Sequence, residues 1–201
     1  MTEIAALILA AGSASRFRAA AGSTGPATKV VATLDGKPLV RHVAEAALAS
    51  RARSVVVVTG YAKDAVEAAL AGLPVQFVHN ADFATGLASS LRAGVRALPE
   101  TVDGALILLA DMPRISASVI DGLIAARETS PDARALVPVF SGQRGNPVLI
   151  MRVLFSEVGQ LRGDVGARPL LAAAGENVVE VAMSDAAITF DVDTPDALAR
   201  D

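Results

Sequence analysis

The stretch Ile4–Ala10 (IAALILA), running on into Ala11-Gly12-Ser13-Ala14-Ser15-Arg16, decides the fold. Its apolar residues follow one another without alternation. Such a run reads as a strand covered on both faces, as in a parallel sheet. The small residues behind it read as a turn. Outward from this segment, Ser54–Thr59 (SVVVVT), residues 75–79, Gly104–Leu109 (GALILL) and Ala135–Phe140 (ALVPVF) repeat the theme, with 178–181 and 188–190 as shorter candidate strands. Helical patterns lie between them. One opens at Pro38, near the first helical position, and runs to about Ala49. Others span 62–71, 89–97, 116–129, 152–160 and Arg168–Ala174. Strands alternating with helices predict an α/β domain with a mostly parallel sheet and right-handed crossovers.

Composition narrows the chemistry. Apolar residues make up 52% of the 201, charged residues 19% and aromatic residues 3%, so the core is aliphatic and disorder is not expected. The net charge of −3 lacks the basic patch a nucleic-acid partner would need. There is no cysteine, which excludes disulfides, a thiolate nucleophile and thiolate-held metals. The two histidines leave little for a histidine-rich metal site. No apolar run is long enough to span a bilayer, and residues 4–11 read as a strand rather than a signal peptide. A cytoplasmic location without membrane attachment is expected. One segment, 18–29, is rich in small residues and Pro; so long a loop is more often functional than incidental.

In open α/β sheets, ligands bind beyond the carboxyl ends of the strands. After the first strand, Ala10 to Ser13 form a small-residue turn whose backbone N–H groups can approach a phosphate, with Arg16 and Lys29 supplying charge. It is neither the three-glycine dinucleotide fingerprint nor a loop ending in Gly-Lys-Ser/Thr. An ordinary strand–helix turn reads equally well here. After Gly104–Leu109 comes Asp111, whose carboxylate behind a buried strand needs a charged partner. Asp is a hard ligand suited to Mg²⁺, though it also caps turns. Near the end, Asp191 and Asp193 stand at alternate positions of an extended segment and point the same way. Thr194-Pro195-Asp196 beside them reads as a helix start. Two glycine-rich polar patches, 141–147 and 163–168, complete the set; either is also readable as a turn.

The ordered series LAAGSASR, Lys29, LADMP, RGNPVL, GDVGAR and DVDTPDAL resembles the molybdenum-cofactor nucleotidyltransferase-like family, nearest its CTP:molybdopterin cytidylyltransferases. The similarity runs from Leu7 to Leu198. It implies one Rossmann-like, three-layer α/β/α domain over 1–201, of the nucleotide-diphospho-sugar transferase type. It implies that Ala10, Ala11, Gly12 and Ser13 wrap the nucleotide, while Arg16 and Lys29 hold the triphosphate. Asn80 and the 86–90 segment, with Gly86, Ser89 and Ser90, would contact base and ribose. Asp111 would ligate Mg²⁺ together with Asp191 or Asp193. Gly145, Asn146 and Pro147, and then Gly163, Asp164, Gly166 and Arg168, would face a molybdopterin-type acceptor. A molybdoenzyme or its chaperone is the implied downstream partner. Arg16, Lys29 and Asp111 would carry the catalysis.

The chain departs from the family pattern in places. Arg18 stands where many members have Gly, the loop to Lys29 is long (leaving Lys37 as an alternative phosphate ligand), and Met112 stands where cytidylyltransferases often carry Gln. The LAAG form of the first loop, with Ala11, points to CTP over GTP. Two other functions fit the residues: transfer to a sugar or polyol phosphate, and a non-catalytic carrier of the molybdenum cofactor. The carrier could dispense with a carboxylate, yet Asp111, Asp191 and Asp193 are all present.

Overall fold

In a computed structural model of the protein, residues 2–21 and 25–198 are described, apart from the side chains of Arg16, Arg18, Ala21 and Asp196. Strand β1 (Ile4–Ala10) is buried over its full length. It leads to helix α1 (Ser15–Ala21), the short strands β2 (Thr33–Leu34) and β3 (Lys37–Pro38), and helix α2 (Leu39–Leu48). There follow β4 (Ser54–Thr59), α3 (Lys63–Ala69), β5 (Gln76–His79), α4 (Leu87–Arg96), β6 (Gly104–Leu109) and α5 (Ala117–Thr129). The last part holds β7 (Ala135–Phe140), β8 (Gln143–Arg144), β9 (Val148–Met151), α6 (Phe155–Val158), α7 (Arg168–Ala174) and β10 (Val178–Ala182).

The main sheet has the order β10-β7-β9-β6-β1-β4-β5, with β8 paired to β7. β1 lies centrally between β4 and β6, parallel to both, in a register that sets Ala10 beside Thr59 and Leu9 beside Leu109. β9 runs antiparallel to β6 and β7, whereas β10 is parallel to β7 and β5 to β4. Successive β1 side chains feed two cores. Ile4, Ala6, Ile8 and Ala10 pack with residues of α2, α3 and α5, and Ala5, Leu7, Leu9 and Ala11 with residues of α4, α6 and α7. This is why β1 carries no alternation: both faces of the strand are inside. The arrangement is the expected Rossmann-like three-layer α/β/α sandwich.

Several elements differ from the expectation. Residues 188–190 are not a strand: Ala186–Thr189 is a 3₁₀ turn, opened by Asp185, whose carboxylate accepts from the Ala187 N–H at 2.8 Å. Capping outweighs the strand propensity of so short a run. β9 was not expected; its four buried residues follow the polar patch directly and are too few to show a period. The helix anticipated at 152–160 is a 3₁₀ turn, Arg152–Leu154, running into the one-turn α6. The loop anticipated at 18–29 begins within α1. The β2–β3 hairpin closes on Asp35-Gly36, both with positive φ (52° and 73°), the two-residue turn that Asp-Gly favours.

Candidate active site

The carboxyl ends of β1, β4 and β6 open into a cavity of about 930 Å³. The turn after β1, Ala11 to Ser15, forms one wall, and Phe83 to Leu87 forms another. Lys29, Asp111 and Asp193 close one end. The first loop is pinned from two sides: Tyr61 N–H donates to the Ala11 carbonyl (3.1 Å) and Thr28 Oγ1 to the Gly12 carbonyl (3.1 Å). Around Gly12 the space is open, so a ligand can come close to the backbone there. The residue of this loop with positive φ is Ala14 (47°). Ala11 is buried, and its methyl lies so close to Gly60 that a Cβ on Gly60 would sit 2.7 Å from it. That methyl faces core, so Ala11 acts on a ligand through its backbone.

Asp111, Asp191 and Asp193 come together: one carboxylate oxygen from each lies within 4.8 Å of the others. The chain achieves this by burying Val192 completely, with its N–H donating to the Asp111 carbonyl at 3.0 Å. Because side chains alternate in extended backbone, sinking Val192 turns Asp191 and Asp193 outward together. Lys29 joins them, its Nζ 2.7 Å from Asp111 Oδ2 and 2.9 Å from Asp193 Oδ1. Burial works to lower the Lys29 pKa, but the Asp111 and Asp193 carboxylates overcome it and hold the ammonium above its ordinary value. Burial, with repulsion from Asp193 and Asp111, pushes the Asp191 carboxyl up, and Lys29 offsets only part of this. Three crowded hard oxygen donors whose repulsion Lys29 relieves only in part are the chemistry a divalent cation satisfies. Among the described residues, this trio is where such an ion fits. Lys37, the alternative to Lys29, pairs with Glu45 of α2 at 2.6 Å and is not in the cavity wall. Arg16 belongs to α1, but its side chain lies outside the described residues.

The remaining predicted residues divide. Ala10, Ala11, Gly12, Ser13, Gly86, Ser90 and Asp164 line the cavity. Asn80 and Ser89 stand behind its wall instead. The Asn80 amide donates to Ser89 Oγ (2.8 Å) and Ser90 Oγ (3.1 Å), and its carbonyl accepts from Asp82 N–H (3.0 Å). Both amide hydrogens are thereby used within the protein, and Asn80 is a post that ties the end of β5 to α4. Gly145 to Pro147 sit at the same carboxyl edge, since β9 starts with Val148 opposite Ile107 of β6. They are held there by Asn146 N–H donating to the Ile188 carbonyl (2.8 Å), and the Asn146–Pro147 peptide is cis. Gly163, Gly166 and Arg168 are outside the cavity wall.

The 163–166 segment docks on the start of α4. Ala88 N–H donates to the Gly163 carbonyl (3.1 Å) and Leu87 N–H to Asp164 Oδ1 (3.2 Å). Asp164 thus satisfies a helix N-terminal donor while facing the cavity. Asp164→Ala is expected to lower stability by about 1 kcal/mol, the usual cost of losing a helix-end acceptor, with Asp164→Asn retaining most of it. Urea midpoints of the three proteins check this.

Sequence reasoning passed over Tyr61, Phe83 and Thr28, all of which line the cavity. Tyr61 and Phe83 meet edge to face, with ring centroids 6.0 Å apart, and offer an aromatic surface to a base. Tyr61 is the chain's single tyrosine and stands two residues beyond β4. Reading the end of β4 as the ends of β1 and β6 were read would have found it.

An open small-residue backbone turn, an aromatic pair and a carboxylate trio thus lie together at the carboxyl edge of the parallel strands of an α/β protein. The chain belongs to the MobA-like NTP transferase domain family, whose model matches residues 6–178. The bifunctional protein GlmU of Francisella philomiragia is 36% identical over 159 residues, covering 78% of this chain and 32% of that one. The chain therefore spans 32% of the length of that curated relative. The nicotine blue oxidoreductase of Paenarthrobacter nicotinovorans is 29% identical over 202 residues, covering 98% and 95%. Among solved structures, Rv0371c of Mycobacterium tuberculosis H37Rv matches with a TM-score of 0.82 at 24% identity, covering 98% of this chain and 96% of that one. Rv0371c has also been solved in complex with manganese. Among the described residues no helix is long and apolar enough to cross a membrane.

Proposed function

We propose that the protein transfers a nucleotidyl group, CMP from CTP, to the phosphate of a molybdopterin-type acceptor, with Mg²⁺ as its metal and the cytoplasm as its setting. The observation that carries this reading is the placement of Asp111, Asp193 and Lys29 in the wall of a cavity that the β1 turn also lines, with the Asp191 carboxylate beside them. An acceptor phosphate oxygen attacks the α-phosphorus of CTP, forming one P–O bond as the bond to pyrophosphate breaks. No side chain need become covalently attached. The protein's task is to position two anions and to offset their charge. Gly12 and Ser13 offer backbone to the phosphates, Lys29 and Arg16 offer positive charge, and Tyr61 with Phe83 receives the base. Asp111, Asp191 and Asp193 would hold the divalent cation, which would supply charge neutralisation at the triphosphate. Gly145 to Pro147 and the 163–168 segment bring the acceptor to the same edge of the sheet.

The test is transfer from each of four α-labelled nucleoside triphosphates to molybdopterin, with pyrophosphate release followed. CTP is expected to exceed GTP by about tenfold, a difference that needs only 1.4 kcal/mol. A preference for GTP would overturn the base assignment, and transfer only to sugar or polyol phosphates would overturn the acceptor. One finding favours a second reading: a relative that matches along almost the whole chain is named an oxidoreductase. Oxidation of NADH or NADPH with an electron-accepting dye, without pyrophosphate release from any triphosphate, would select that reading.

A further inference from the structure

We propose that Lys29 is a built-in occupant of the metal site, so that the divalent cation enters together with a triphosphate and is rejected when alone. The proposal rests on reading the three aspartates as cation ligands. Its starting point is that the Lys29 ammonium donates to the two oxygens that a metal would need. Nζ is 2.7 Å from Asp111 Oδ2 and 2.9 Å from Asp193 Oδ1. A metal ligated by carboxylates sits about 2.1 Å from their oxygens. It would lie within a few ångströms of the ammonium, and two positive centres so close repel strongly.

The ammonium must therefore leave when a metal arrives. The backbone of Lys29 does not move with it. The 3₁₀ turn Lys29–Val31 is closed by Val31 N–H on the Thr28 carbonyl (3.2 Å) and Ala32 N–H on the Lys29 carbonyl (3.0 Å), with Val30 in the core. Only the side chain can swing. It is 13% exposed where it pairs with Asp111 and Asp193, and a displaced ammonium would have given up both of these partners. Lys29 shares the cavity with the Gly12 turn, where the backbone is open to a ligand and which Thr28 Oγ1 ties down through the Gly12 carbonyl. A triphosphate there gives Lys29 its replacement partner. Metal and triphosphate thus each lower the cost of binding the other, a coupling that is reciprocal by thermodynamic necessity.

Mn²⁺ binding to the nucleotide-free protein, followed by loss of the free-ion electron paramagnetic resonance signal, tests this. Lys29→Met and Lys29→Gln are expected to bind Mn²⁺ about tenfold more tightly than the unmodified protein (about 1.4 kcal/mol). Mn²⁺ should also raise the melting temperature of both variants more than that of the unmodified protein, a readout independent of catalysis. Equal or weaker Mn²⁺ binding by the two variants would overturn the proposal while leaving the metal site standing. Equal Mn²⁺ binding by Lys29→Met and by the double variant Lys29→Met/Asp111→Asn would overturn the metal assignment and the proposal together.

Discussion

Asp111→Asn is expected to lower nucleotidyl transfer by at least about two orders of magnitude while leaving the fold intact. Asp111 is the least exposed partner in the Lys29 contacts, at 20% against 68% for Asp193, and it follows β6 at a fixed distance from the core. A neutral amide cannot replace a carboxylate as a hard cation ligand, and losing metal-borne charge stabilisation removes several kcal/mol from the transition state. The fold should survive because the Asp111 main chain, not its side chain, anchors Val192. Lys29 also keeps Asp193 at 2.9 Å. Initial rates of pyrophosphate release across a Mg²⁺ titration, beside a urea unfolding curve, measure both parts. Near-normal turnover with unchanged metal dependence would refute the role.

Gly86→Ala is expected to cost about 3 kcal/mol or more of stability, the largest effect of a single methyl at the cavity. Gly86 has φ 105° and ψ 172°, a region essentially reserved for glycine. A Cβ there would also collide with the Gly163 carbonyl group and lie 2.8 Å from Asp164 N. Those atoms are backbone, held by the Ala88 and Leu87 contacts, so they cannot move aside cheaply. The variant must either part the 163–166 segment from α4 or unwind the helix start. Its urea midpoint should fall sharply, and the KM for nucleotide should rise in whatever fraction folds. A midpoint matching that of the unmodified protein would show that the seam is slack.

The sheet was legible because β1, β4 and β6 are long, continuous apolar runs, and each contains more strand residues than a buried helix turn would need. β9 was not, because four apolar residues carry no period and its direction depends on a neighbour distant in sequence. At the site, Asp111 and the Asp191–Asp193 pair could be read because each ends an apolar segment. Their meeting with Lys29 could not: it depends on where the fold sets the 3₁₀ turn Lys29–Val31 against the end of β6, which no local pattern states. The family resemblance places Asn80 against base and ribose, and its inward turn toward Ser89 and Ser90 is decided by packing that the sequence does not state. Tyr61 was available from its position but was left unread.

The reversed strand β9 has a consequence for how this scaffold can change over time. Because β9 runs against its neighbours, the chain leaves β7 and re-enters the sheet at one rim, through the turn Ser141-Gly142 (φ 49° and 79°) and the exposed residues of β8. No crossover helix has to be threaded there. Lengthening this excursion leaves every core contact in place, and doubling a loop costs only about 0.6 kcal/mol in chain entropy. The excursion returns through Gly145 to Pro147 at the carboxyl edge of β6, where we propose that the acceptor binds. Descendants of such a protein could therefore trade one acceptor for another by insertion and deletion in this hairpin alone, keeping the triphosphate side untouched.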